Sequence, residues 1–244
     1  MKFILILFVF LNLFADIEPE DCKVKFSIAW KADIEGNEKL ANKITQDCKR
    51  ELSIIRNWFD ILEAKIFFTN KEYQKVLKIL NSSRTSIIKT FLIAKDRTKK
   101  TSIQYESPRF FYLNMLTYSA FSNYKLQNWE LAVIDFELYL KEEENNFEYI
   151  IYLASCYSEL NFYKKSILEL KKAYSLNGSD DVELYIASVY AKSKNTKESI
   201  YWLRKISDKN IMEWINDDDN FNTIKKTKEY KNFTSSHGFR GNKF

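Results

Sequence analysis

One pattern of small and apolar residues occurs three times between residues 113 and 207. The first two copies are offset by 34 residues and the next two by 33, without internal slippage. A fixed period in this range is typical of a helical solenoid, in which each unit buries its apolar face against the next. Small side chains at recurring positions let helices approach closely, and larger apolar ones fill the space between them. The aligned positions are Ala120/Ala154/Ala187, Leu126/Leu160/Ser193, Trp129/Tyr163/Thr196, Ala132/Ser166/Ser199, Phe136/Leu170/Leu203 and Tyr139/Ala173/Ile206.

The three copies resemble the tetratricopeptide repeat (TPR), a helix–turn–helix unit of about 34 residues. The copy at 147–179 is the most similar, although Gly178 stands where the family usually has Pro, and the first copy has Asn123 at a position where Tyr is usual. The resemblance implies an all-α fold: a right-handed α-solenoid of TPR-like helix-turn-helix repeats with helical caps. The alternative is an irregular helical bundle with coincidental spacing. The matching residues of the second copy are Ile150, Leu153, Ala154, Tyr157, Tyr163, Ser166, Leu170 and Ala173.

The rest of the chain is organised around these repeats. A weaker repeat with Ala64, Tyr73 and Leu80 in the same register is followed by an insertion of about 22 residues before the next copy. The polar stretch 96–108 of this insertion is expected to be an exposed loop. The predicted organisation is a signal peptide at 1–15, an N-terminal segment and capping helix at 16–56, a degenerate TPR-like repeat plus inserted helix and loop at 57–112, three repeats at 113–207 (113–146, 147–179 and 180–207), C-terminal capping helices at 208–234 and a flexible tail at 235–244.

Composition supports the helical interpretation. The 244 residues include four Gly and two Pro, and 45% are apolar. A β-sandwich needs turn residues far more often, whereas few helix breakers favour long helices. The net charge of +5 is too small to indicate a nucleic-acid partner.

The first residues resemble an export signal, with Lys2 before an apolar run at 3–14 that is interrupted by Asn12. This run is shorter than the roughly 20 residues that cross a bilayer. We therefore expect an exported protein that is periplasmic or envelope-associated, with an uncleaved amphipathic anchor as the alternative. In an oxidising compartment Cys22 and Cys48 either form a disulfide or remain free thiols, and Cys156 is expected to be a small core residue.

The sequence predicts no enzyme, no cofactor and no metal site. The one histidine, His237, lies near the end of the chain, and no Gly-rich phosphate loop or paired Cys at ligand spacing is present. The acidic run 217–219 is expected to cap a helix, because carboxylates accept hydrogen bonds from its first N–H groups. A calcium loop is the alternative, but the alternating oxygen ligands, Gly and distal Glu that it needs are missing.

The resemblance also implies where a partner binds. In TPR proteins the second, fifth, ninth and twelfth residues of each first helix line a concave groove. In the weaker repeat these are Trp58, Ile61, Lys65 and Phe68, with the alternative that Trp58 and Phe68 pack against the N-terminal cap instead. Glu148, Asp181 and Ala191 complete the aligned positions of the later copies. The predicted peptide-binding residues are Asn114, Thr117, Phe121, Tyr124, Ile151, Ser155, Ser158, Leu184 and Ser188.

The apolar or hydroxyl residues at the fifth positions disfavour binding of a peptide's terminal carboxylate. The predicted function is a non-enzymatic protein–protein interaction scaffold that binds a peptide or partner protein in this groove. One alternative is a structural subunit of an outer-membrane assembly or secretion machinery. Another is a basic surface binder of anionic membrane through 84–100 and 225–243, so that any membrane contact is peripheral.

Overall fold

The computed structural model describes residues 20–51, 56–97, 103–207, 214–216 and 218–236. Every regular element in these ranges is a helix, which confirms the all-α prediction. No helix of these ranges combines the length and apolarity needed to cross a bilayer. The predicted signal peptide lies outside the described residues, as do His237 and Asp217.

The described ranges contain the helices α1 to α12. In chain order they are α1 Glu20–Ile34, α2 Glu38–Glu51, α3 Arg56–Thr69, α4 Tyr73–Arg97, α5 Ile103–Lys125, α6 Trp129–Leu140, α7 Phe147–Glu159, α8 Tyr163–Leu176, α9 Asp180–Lys192, α10 Thr196–Leu203, α11 Asn222–Lys225 and α12 Lys228–Ser236, with a 3₁₀ turn at Asp219–Phe221 before α11.

The chain forms two compact units, Met1–Asn128 and Trp129–Phe244. In the first unit α1 packs on α2, α2 on α3, α3 on α4 and α4 on α5. In the second unit α6 to α10 pack in the same sequential way, and the 3₁₀ turn and α11 lie against α9. Neighbouring helices in sequence are therefore neighbours in space, as in a solenoid.

The turns between paired helices have one recurring geometry. A residue with positive φ ends the first helix, and the next residue donates its N–H to the carbonyl five residues back. This bond and the left-handed residue before it define a Schellman ending, which satisfies a carbonyl that the helix leaves unpaired. The positive-φ residues are Gly36 (77°), Lys71 (60°), Gln127 (60°), Asn161 (63°) and Lys194 (62°), and the bonds are Asn37–Ala32 (2.7 Å), Glu72–Phe67 (2.8 Å), Asn128–Asn123 (2.9 Å), Phe162–Tyr157 (2.8 Å) and Asn195–Tyr190 (2.8 Å).

The first helix of each hairpin carries a buried alanine at the same position of the repeat. Ala64, Ala120, Ala154 and Ala187 are fully buried, and so is Ala29 of α1. Since Ala29 precedes Ala64 by the 35 residues that separate Gly36 from Lys71, α1 and α2 form one more hairpin of the repeat type. The sequence pattern does not predict α1, because apolar residues such as Val24 and Ile28 lie on the exposed side of this helix and obscure its periodicity.

The insertion differs from the predicted loop at 96–108. Helix α4 continues to Arg97, and α5 begins at Ile103 and contains Pro108. The inserted residues lengthen both helices, and the stacked rings of Phe91 and Tyr112, with centroids 4.2 Å apart, join them. Residues 96–97 and 103–108 of this stretch thus lie at helix ends. Pro108 is the sixth residue of α5 and has no N–H for the carbonyl of Gln104, so one hydrogen bond is missing near the start of this helix.

One apolar cluster extends through the second unit and takes in its C-terminal residues. Ala154 and Ala187 belong to it, together with residues of the predicted C-terminal caps. Cys156 is fully buried, which confirms that it is a core residue, and burial raises the pKa of its thiol to about 12. The side chains of Cys22 and Cys48 are not among those described, so their disulfide stays a prediction. The C-terminal residues in the cluster are Ile215, Phe221, Ile224, Tyr230 and Phe233.

Candidate peptide-binding surfaces

The nine predicted groove residues fall in both units. Asn114, Thr117, Phe121 and Tyr124 lie on α5 of the first unit. In the second unit, α7 carries Ile151, Ser155 and Ser158, and α9 carries Leu184 and Ser188. Each set is therefore a separate candidate surface, and its binding role stays a prediction.

The four α5 residues are half-buried and share one helix face through their three- and four-residue spacing. Asn114 donates from Nδ2 to the Phe110 carbonyl at 2.7 Å, and Thr117 donates from Oγ1 to the Leu113 carbonyl at 2.8 Å. These local bonds hold both side chains against their own helix. The α5 face thus presents two aromatic rings beside two polar side chains.

Next to this face, Lys65 of α3 is held by α1. Its ammonium pairs with the Asp33 carboxylate and lies 5.0 Å from the centre of the Trp30 ring. The Lys65 side chain is 28% exposed and that of Asp33 only 7%. Burial, reinforced by the Asp33 charge, raises the pKa of the nearby Tyr118 above its usual range. The Lys65 ammonium neutralises the nearly buried Asp33 carboxylate, so the positive charge of Lys65 already has a partner within the first unit.

The other predicted positions of the weaker repeat are also occupied by internal contacts. Ile61 is buried, and the Phe68 ring packs against Tyr73 and Tyr118, with centroids 5.6 and 5.5 Å away. These contacts are with the following helices α4 and α5, rather than with the N-terminal hairpin. Nothing is described of the Trp58 side chain. In the first unit, α5 is therefore kept as the candidate peptide-binding surface.

In the second unit the chain's own C-terminal segment covers Ser188. Its hydroxyl donates to Asp218 Oδ2 at 2.8 Å and accepts from Asn220 Nδ2 at 3.0 Å. Nearby, Thr223 Oγ1 donates to the Ala191 carbonyl at 2.7 Å. Ser188 and Ala191 hold the ninth and twelfth positions of their copy, so residues 218–223 lie where a ligand of this helix would lie. No sequence signal indicated this cover beyond the general expectation of a C-terminal cap.

Of the residues predicted to cap at 217–219, Asp218 accepts a backbone N–H, whereas Asp219 bonds to a side chain. Asp218 Oδ1 accepts the Asn220 N–H at 2.8 Å at the start of the 3₁₀ turn, and Asp219 Oδ1 accepts from Asn222 Nδ2 at 2.8 Å. Asp218 thus both caps the turn and binds Ser188. Among the described residues, no group of three or more His, Cys, Asp or Glu is arranged to hold a metal ion.

The remaining second-unit positions differ in exposure. Ser158 is buried, while Ile151 and Leu184 are half-buried and pack against the apolar cluster. Ser155 is half-buried beside them. The second positions of these copies, Glu148 and Asp181, are exposed carboxylates. The half-buried residues Ile151, Ser155 and Leu184 are therefore bordered by the carboxylates Glu148 and Asp181, whose negative charge repels an anionic ligand.

The fold is that of TPR proteins. A tetratricopeptide repeat protein from Parabacteroides merdae ATCC 43184 superposes with a TM-score of 0.59 at 14% identity, over 92% of this chain and 82% of that one. MamA AMB-1 gives 0.58 at 13% identity, over 77% and 91% of the two chains. The MamA RS-1 ArsTM double mutant gives 0.54 at 11% identity, over 90% and 97%. Neither a protein-family model nor a curated protein matches this chain. The predicted solenoid of TPR-like hairpins is confirmed, and at these identities the likeness concerns the fold alone.

Proposed function

We propose that this chain is a non-enzymatic scaffold that binds a peptide or a partner protein on the first-helix face of its repeats. The principal contact is the α5 face, with Asn114, Thr117, Phe121 and Tyr124. The observation that carries the proposal is the composition of this face within a repeat fold: two half-buried aromatic rings, Phe121 and Tyr124, share one side of α5 with two half-buried polar side chains.

The chemistry of each surface favours a class of ligand. Aromatic side chains supply large contact areas at low entropic cost and bind apolar side chains of a helix or an extended segment. We therefore expect the α5 face to bind the apolar residues of an amphipathic segment. On the second-unit surface the exposed carboxylates Glu148 and Asp181 disfavour an acidic ligand.

Site-specific photo-crosslinking tests this surface. A photoreactive amino acid at Phe121 or at Tyr124 should capture the same partner, while the same amino acid at the exposed Lys89 of α4 should not. The double substitution Phe121→Ala/Tyr124→Ala should abolish capture by a probe at Thr117 without changing the far-ultraviolet circular dichroism. Equal capture at Lys89, or capture that survives the double substitution, contradicts the proposal.

We further propose that the protein acts in the envelope, on the strength of the export-like leader at 1–15. Fractionation of cells should recover the chain outside the cytoplasm, and replacing Leu5 and Phe8 by Asp should retain it inside. Cytoplasmic recovery of the unaltered chain would remove this part and leave the scaffold function standing.

A further inference from the structure

The second helices of the second unit carry one pattern of two charged residues around an apolar or aromatic one. In α8 the pattern is Lys164, Leu168 and Lys171. At an offset of 33 residues it is Lys197 and Tyr201 of α10 and Arg204, which directly follows this helix. All six residues are exposed. Their spacing of four and three residues places each set on one side of its helix.

Helix α6 carries the opposite charges at the same repeat positions. Glu130, Ile134 and Glu137 precede Lys164, Leu168 and Lys171 by 34 residues. Glu130 is exposed, and Glu137 is half-buried with its carboxylate accepting from the Tyr157 hydroxyl. The same Tyr157 ring lies 5.0 Å from the ammonium of Lys165 in α8, so Glu137 lies near α8. The unit thus presents an acidic and a basic version of one pattern side by side.

Large apolar side chains lie between these charges. Ile134 is 49% exposed, Leu131 53% and Leu168 67%. On each helix an exposed apolar centre thus lies between charged residues: Leu131 and Ile134 between Glu130 and Glu137, and Leu168 between Lys164 and Lys171. An apolar centre with a polar rim is the composition of protein–protein interfaces.

We propose that this face, defined by Glu130, Leu131, Ile134, Glu137, Lys164, Leu168 and Lys171, pairs with the same face of a second copy of this chain. The charges of α6 and α8 are complementary. A two-fold axis that lies in the interface, parallel to these helices, sets α6 of one copy over α8 of the other in the same direction. Glu130 then faces Lys164 of the second copy, Glu137 faces its Lys171, and the apolar residues meet in the middle.

The charges favour a second copy over an anionic membrane. A bilayer that attracts Lys164 and Lys171 repels Glu130 and Glu137 on the same face. A second copy turned by the two-fold axis satisfies both signs at once. The basic side of the pattern continues beyond α6 and α8, the two helices that the axis relates. It reaches Tyr201 of α10 and Arg204, which follows this helix.

Sedimentation equilibrium of the full chain tests the pairing. The unaltered protein should show a reversible dimer with a dissociation constant of about 1–100 µM, and Leu168→Asp should abolish it. Leu92→Asp is the matched control, because Leu92 of α4 is 54% exposed and lies in the other unit. A monomer throughout this concentration range, or equal loss of the dimer in the control, overturns the proposal.

Charge exchange tests the parallel register. Glu130→Lys and Lys164→Glu should each weaken dimerisation by roughly tenfold, since each creates two like-charge contacts per dimer. An equimolar mixture of the two variants should restore it, because every facing pair in the mixed dimer is again of opposite sign. A mixture that stays monomeric overturns this register. Flotation with vesicles of phosphatidylcholine and about 30% phosphatidylglycerol, by a chain that remains monomeric, assigns the face to a membrane and overturns the pairing.

Discussion

The Ser166 hydroxyl donates a hydrogen bond to the Ala154 carbonyl oxygen at 2.7 Å, from the second helix of a hairpin to the first. Ser199 makes the same bond to Ala187 at 2.8 Å in the next repeat. Both serines are fully buried, so each hydroxyl needs the partner that its repeat provides. In the first copy Ala132 holds this position and no hydroxyl needs satisfying.

We expect Ser166→Ala to lower the free energy of unfolding by about 1 kcal/mol or less. The variant loses the hydrogen bond, but it also no longer buries a polar hydroxyl. Ser166→Leu should cost about 1–3 kcal/mol by overpacking a contact between helices. Urea unfolding of both variants measures the difference, with the exposed Ser175→Leu as the control for a larger side chain. Equal destabilisation by Ser166→Leu and Ser175→Leu would show that the position is not a close contact.

The turn residues give a second prediction. Gly36→Ala should lower the free energy of unfolding by about 1 kcal/mol, because its φ of 77° strains any residue with a Cβ. No atom lies within 4 Å of the added Cβ, so backbone strain is the only cost. Lys194→Gly, at a φ of 62°, should instead relieve strain and be neutral or slightly stabilising. Thermal unfolding measures both variants, and equal destabilisation by the two changes would contradict the strain argument.

The contact between α1 and α3 gives a third prediction. Lys65→Met should destabilise the chain by about 1–3 kcal/mol, because it leaves the Asp33 carboxylate nearly buried without its cation. Lys65→Met combined with Asp33→Asn should recover much of this loss. A double-mutant cycle from urea unfolding measures the coupling, and additive effects of the two changes would argue against the ion pair.

The C-terminal cover gives a fourth prediction. Asp218→Ala removes both the cap of the 3₁₀ turn and the acceptor of the Ser188 hydroxyl, and should cost about 1–2 kcal/mol. Amide hydrogen exchange should accelerate across 218–225 more than across α7. Asp219→Ala is the matched control, because Asp219 bonds only within the same segment among its described contacts. If exchange changes equally in both variants, the bond to Ser188 contributes nothing to the cover.

Glu169 gives a prediction about pH. Burial raises its pKa above the ordinary 4.5, with Lys172 opposing and Glu137 reinforcing the shift. The folded state therefore binds the proton more tightly than the unfolded state. The resulting stabilisation is complete below about pH 4.5 and is lost as pH rises through the higher folded pKa. Glu169→Gln should raise stability at pH 7 by less than about 1 kcal/mol, since solvent screens a half-buried charge. Urea unfolding at several pH values should show a flatter dependence between about pH 4 and 7 in this variant.

Periodicity in the sequence was enough to predict the repeat register. Ala120, Ala154 and Ala187 recur because the packing of each hairpin requires a small residue at one position of every copy. This requirement can be recognised from the residue type and its spacing alone. The same periodicity failed at 96–108, where helix α5 begins in a polar stretch. It failed again at α1, whose exposed apolar residues resemble no regular pattern. Helix boundaries there depend on packing against α4 and α2, which local sequence does not encode.

The helical class, the period of the repeats and the burial of the recurring small residues could be predicted from the sequence, because they follow from short-range spacing along each helix. Which predicted groove residues stay accessible could not be predicted, because it depends on tertiary contacts. Lys65 is engaged by Asp33 and Ser188 by Asp218, partners 32 and 30 residues away. Such contacts form between residues that are distant in sequence and that only folding brings together. The spacing of residues along one helix does not predict them.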